Sequence, residues 1–194
     1  MKRMFGRMAL AVTAGSLLLF APLAASPQID DAPARFTAAA VDMNRGAAGT
    51  VEFVVNRWSS DADRDRLMQV MFDKGPEKLL EALQDMPRMG YIRNPGSVGW
   101  EIRFARHMPA PDGGERVVLV TDRRMGFREV ANHHRSVDYP FTVIELRLGK
   151  NGVGEGKASV ATRIIADKNS KFVTLENYDI QPVMLTRVTR GRVS

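Results

Sequence analysis

The chain has 194 residues, 28 of them basic and 22 acidic, giving a formal net charge of +6, and it has no cysteine. The lack of cysteine excludes thiol nucleophiles, disulfide staples and Cys-ligated metal, so a packed apolar core must hold the fold. The length suits one domain of ordinary size.

Residues 1 to 25 read as a secretory signal peptide. Lys2, Arg3 and Arg7 charge the start, Met8 to Phe20 is an uncharged apolar run too short for a comfortable membrane span, and small residues follow from Ala21 to Ser26. Cleavage is expected after Ala25, because Pro27 disfavours cutting after Ser26. The expectation is an exported protein, periplasmic or extracellular, with no membrane span once the leader is gone. Loss of the three basic residues halves the net charge of +6, which weakens any case for nucleic acid, and no nucleic-acid partner is expected.

Residues 26 to 49 are rich in Ala, Pro and Asp without a sustained period and read as a flexible tether. The domain proper is expected over 50 to 190, with 191 to 194 as a tail. Thr50 to Trp58 is the first expected strand, with Val51, Phe53 and Val55 on one face. Ser59-Ser60 then caps a helix whose first turns carry Asp61, Asp63 and Asp65, where the exposed amides favour negative charge. Leu67, Val70 and Met71 form its apolar stripe. Gly75-Pro76 ends that helix and starts another, with Leu79, Leu80, Leu83 and Met86 on one face. The pair predicts a helical hairpin lying against the sheet.

Strands resume at Met89 to Arg93. In Val98 to Arg106 the even positions Val98, Trp100, Ile102 and Phe104 predict one buried face, and Pro109 to Gly114 supplies turn chemistry before Val117 to Thr121 returns. Residues 123 to 135 are the least regular, with one helical turn expected at Phe127 to Ala131. Tyr139 to Gly149, Val153 to Ile165, Lys171 to Tyr178 and Pro182 to Val188 complete the strands, the first two joined by the tight turn Lys150-Asn151-Gly152. The fold class is therefore mainly β with α+β character. The expected form is a strongly curved antiparallel sheet or barrel-like meander of about eight strands, with one helical hairpin inserted after the first.

The segments Arg57-Trp58-Ser59-Ser60, Gly90-Tyr91-Ile92-Arg93, Val120-Thr121-Asp122-Arg123, Ser136 to Thr142, Gly152 to Lys157 and Glu176-Asn177-Tyr178 resemble an uncharacterised family of exported bacterial proteins. The resemblance covers most of the mature domain. It implies export and an intact domain, and assigns no catalytic residue. Two helices after a first strand is also the element order of intracellular fatty-acid-binding barrels. That is an analogy of fold alone, since those barrels have more strands and share no motif with this chain.

Chemistry-bearing residues are few. His133-His134 are neighbours in an irregular segment, where successive side chains point apart, so no metal site is expected. Asp61-Ala62-Asp63-Arg64-Asp65 imitates a calcium loop but has Arg66 where glycine is needed and Phe72 where a bidentate glutamate is needed. Asp122 at a strand end reads first as an Arg-paired loop anchor. A hydrolase or isomerase using Asp122 with His107 or His133 is the enzymatic rival. Gly154 and Gly156, spaced at period two, predict sharp curvature or an aromatic across the strand, for which Trp100, Phe104 and Tyr139 are candidates. The favoured reading is a non-enzymatic binding domain without cofactor. A small, partly apolar ligand would lie between the concave face of the curved sheet and the hairpin, touching Trp100, Phe104, Tyr139 and Leu83. A protein-interaction module of the cell envelope is the third reading.

Overall fold

A computed structural model describes residues 31–43, 46–123, 140–167, 172–177 and 181–193. Its ten strands are β1 Ala34–Asp42, β2 Ala47–Val55, β3 Gly90–Arg93, β4 Trp100–Ile102, β5 Phe104–Pro109, β6 Glu115–Thr121, β7 Phe141–Leu148, β8 Val153–Asp167, β9 Phe172–Asn177 and β10 Val183–Arg192. All pair antiparallel, in the order β4-β3-β2-β1-β10-β8-β7-β6-β5. The two ends of that order are consecutive stretches of chain, separated by Arg103 alone, whose amide donates to the Val120 carbonyl at 2.9 Å. The sheet thus curls round into a nearly closed barrel. β9 pairs with the far half of β8, along the same edge that β10 occupies lower down. Taking β4 with β5 and β9 with β10 leaves eight staves in up-and-down order.

The expected tether is corrected here. Ala34 to Asp42 is a strand hydrogen-bonded on both sides, to β2 and to β10. The helical hairpin therefore follows the second strand. At the other end, β10 runs to Arg192, which absorbs the start of the expected tail.

Period two divides each strand between an inner and an outer face. Phe36, Phe53, Ile92, Ile102, Leu119, Ile144, Leu146 and Leu185 point inward, each at most 1 % exposed, and fill the barrel. Small residues admit them: Ala34 and Ala38 on β1 face the larger Val55 and Val51 of β2, and Ala40 faces Gly49. Outward positions carry ion pairs, including Glu52 with Arg35 (3.2 Å) and Arg93 (2.5 Å), and Glu145 with Arg116 (2.5 Å) and Lys157 (2.8 Å). A lipid-facing band would not present that row of charges. Among the described residues no helix is long and apolar enough to cross a membrane.

Gly154 and Gly156 serve the curvature rather than an aromatic. A Cβ at Gly154 would collide with the Arg147 carbonyl of β7, and one at Gly156 with the Glu145 carbonyl and the Leu146 side chain. The strands coil too tightly there for any side chain. Gly154→Ala is expected to cost about 1–3 kcal/mol, as overpacking does, seen as a lower urea midpoint.

The hairpin begins as the sequence predicts. Ser60 Oγ accepts from the Asp63 amide at 3.1 Å while Asp63 accepts from the Ser60 amide at 2.9 Å, a reciprocal cap for α1, Asp61–Gln69. The carboxylates of the calcium-like run are spent on this cap and on Arg64 and Arg106. α1 continues as a π-helical segment, Val70–Lys74, before Gly75, at φ 97°, breaks it with a conformation that side chains rarely adopt. Pro76–Lys78 makes a 3₁₀ turn and α2 follows over Leu79–Gln84. Leu67, Met71, Leu79, Leu83 and Met86 are the buried face.

Candidate functional site

The inner and outer faces decide where the hairpin sits. Arg190 on β10 reaches Glu115 on β6 at 2.5 Å with β8 and β7 between their strands, so the Glu115 face of β6 is the barrel interior. Val118 and Val120 alternate with that face and point outward. They line a cleft of 470 Å³ together with Leu67, Met68, Met71, Leu79 and Leu83 of the hairpin. The hairpin therefore packs on the outer surface of β5–β7, and the expected pocket over a concave sheet is corrected to a cleft on the convex side. The interior has no room for it, being occupied by the large side chains already named. Double coverage explains why both Leu119 and Val120, and both Val143 and Ile144, are buried on adjacent positions.

The cleft's floor has rows set by strand register. Phe104, Val120 and Val143 form one row, Arg106, Val118 and Glu145 the next, and Met108 with Arg116 the third. Beyond the first row, Ile164 of β8 and Val173 and Leu175 of β9 extend the apolar wall. The polar end is organised by ion pairs: Arg106 to Asp61 (2.7 Å), Arg64 to Asp65 (2.6 Å) and Asp61 (3.5 Å), and Arg116 to Glu145 (2.5 Å). Arg106 and then Arg64 hold the Asp61 carboxyl below its ordinary value. Burial pushes the Glu145 carboxyl up, but Lys157 and Arg116 outweigh it and the net shift is downward.

Of the four residues expected to contact a ligand, Phe104 and Leu83 line the cleft. Trp100 does not. It lies opposite Ile92 on the inner face and packs against the core. Tyr139 is outside the described residues, as are His133, His134 and the helical turn expected at Phe127 to Ala131. Trp100 and Phe104 part company because Arg103 is an extra residue between them. Ile102 and Ala105 both point inward, so the alternation slips by one and Phe104 turns out.

The enzymatic pairing is not assembled among the described residues. Asp122, 6 % exposed at its side chain, lies 3.3 Å from Arg103 and 3.7 Å from Arg123, the loop-anchoring role. Arg103 also donates to the Met86 carbonyl at 2.9 Å, tying the end of the hairpin to the sheet. His107 pairs in register with Val117, five positions from Asp122 on β6, or about 17 Å at strand rise. Its partners are Asp31 through Nε2 (2.7 Å), the Trp58 ring stacked at 4.0 Å, and Glu115, 3.6 Å from Nδ1 and too far for a hydrogen bond. Glu115, His107 and Arg190 form a polar plug at one end of the filled barrel. Neither Glu115 nor Arg190 is marked by any local pattern in the sequence, because contacts between distant strands leave none.

No family model, no curated protein and no solved structure matches this chain. Fold and site together define a filled, up-and-down antiparallel barrel with a helical hairpin clasping an apolar cleft to its outer wall.

Proposed function

We propose that this chain is an exported, non-enzymatic binding protein, periplasmic or extracellular, whose small, partly apolar ligand lies between the hairpin and the outer face of β5–β7. One observation carries the reading: a 470 Å³ cleft walled by apolar side chains from two helices and five strands, with charge confined to one end. That volume falls in the range of about 300–1,000 Å³ in which small molecules are held. Three methionines, Met68, Met71 and Met108, line it and give an adaptable surface rather than a rigid mould. The leader-like start of the chain and its resemblance to exported bacterial proteins support the location. Among the described residues the exposed large apolar side chains are Met43, Val98, Val153, Ile165, Val173 and Met184, of which Val173 lines the cleft itself.

Native mass spectrometry of protein recovered from outside the cytoplasm is the test, run beside a cleft-filling variant. Val118→Trp places an indole on the cleft floor from a half-buried outward position. A co-purifying adduct that is present in the wild type and lost in the variant, at unchanged melting temperature, is the expected result. An adduct that persists in the variant places the ligand elsewhere.

A further inference from the structure

We infer that the cleft takes a single-chain amphiphile with an anionic head, the head lying between Arg106 and Arg116 and the tail running toward the β8–β9 arm. This rests on the binding reading above and adds the ligand's class and direction. Arg64, Arg106 and Arg116 line the cleft with Glu145, and with the groups paired to them, Asp61, Asp65 and Lys157, the polar end holds four cations against three carboxylates, an excess of one positive charge. The strand rows make the gradient directional. Arg106 and Arg116 stand on the second and third rows, while Phe104, Val120 and Val143 hold the first and Ile164, Val173 and Leu175 lie beyond it.

Arg106 and Arg116 are held in place by ion pairs without being used up by them, whereas Arg64 already faces Asp65 with Nε and Nη2 and Asp61 with Nη1. A guanidinium presents five donors in a planar fork. The contact with Asp61 engages Nη2 of Arg106, and that with Glu145 engages Nη2 of Arg116. A carboxylate or phosphate entering this end meets donors already oriented, and both head groups suit the fork. The methionine lining and the π-helical segment that carries Met71 suit a flexible chain of variable length better than a fused ring.

The test is calorimetric titration of the purified exported protein with dodecanoate, dodecyl phosphate and dodecan-1-ol, each below its micellar concentration. The anions are expected to bind about tenfold or more tightly than the alcohol, the scale of a charge-assisted hydrogen bond. Whichever anion binds more tightly identifies the head as an acyl carboxylate or a lipid phosphate. In the double variant Arg106→Gln with Arg116→Gln, that preference should vanish while alcohol binding is kept. Equal affinity of the wild type for alcohol and anions overturns the head-group assignment and leaves the cleft reading standing. Failure of all three to bind overturns both. Loss of alcohol binding in the double variant also overturns the assignment, since the arginines would then be supporting the cleft walls.

Discussion

Leu83→Ala is expected to destabilise the whole domain by about 2–5 kcal/mol, with helix and sheet signals moving in one transition. Leu83 is 2 % exposed and sits where α2 meets the outer face of the barrel. That face is apolar along Val118, Val120 and Val143, so the hairpin is what removes it from water. Truncation leaves a void that opens into the existing cleft rather than collapsing, which favours the upper part of the range. Urea unfolding followed by far-ultraviolet dichroism and by tryptophan fluorescence checks both claims. A mobile lid would behave otherwise, with ligand affinity falling and the unfolding midpoint unchanged.

Acid should weaken the barrel through Glu115. Burial alone would raise this carboxyl's pKa, but His107 and Arg190 outweigh burial and hold it below its ordinary 4.5. A carboxyl depressed in the folded state stabilises that state fully above its unfolded pKa. That contribution is then lost as pH falls from about 4.5 through the lower folded value. Glu115→Gln removes the ionic partner of Arg190 and is expected to cost about 1.5–3 kcal/mol at neutral pH, the scale for a hydrogen bond between charged groups. The variant's stability should also decline less between pH 5 and pH 3 than that of the wild type. An identical acid slope in both proteins would remove Glu115 from the account.

The two expected effects act at different places. Leu83 joins the hairpin to the wall, whereas Glu115 and Arg190 close one end of the interior by spanning strands that are not neighbours. They share no partner, so their free-energy costs should add in the double variant.

Much of the fold is legible in local pattern. Alternation over Val51–Val55, turn residues at Lys150-Asn151-Gly152 and the cap at Ser60 each encode their element within a few residues. β1 is legible only in hindsight. Its inward residues are Ala34, Phe36, Ala38 and Ala40, and alanine differs too little from its polar neighbours to mark a buried face. The strand gains its burial from the larger side chains of β2 and from those reaching across the barrel. Two of the cleft-lining side chains are legible as well, since Leu83 follows helical period and Phe104 is a large apolar residue on a strand.

The sequence by itself determined the antiparallel strands, the hairpin between them and which helix face is apolar, because those depend on residue spacing along a single segment. Tertiary structure decided which side of the sheet the hairpin covers and that Trp100 and Phe104 face opposite ways. It also brought Arg106 and Arg116 to one end of the apolar cleft. A single extra residue at Arg103 reverses every side chain after it, and whether a curved sheet inserts one depends on closing β5 against β6, a contact between strands that no period within one strand can announce.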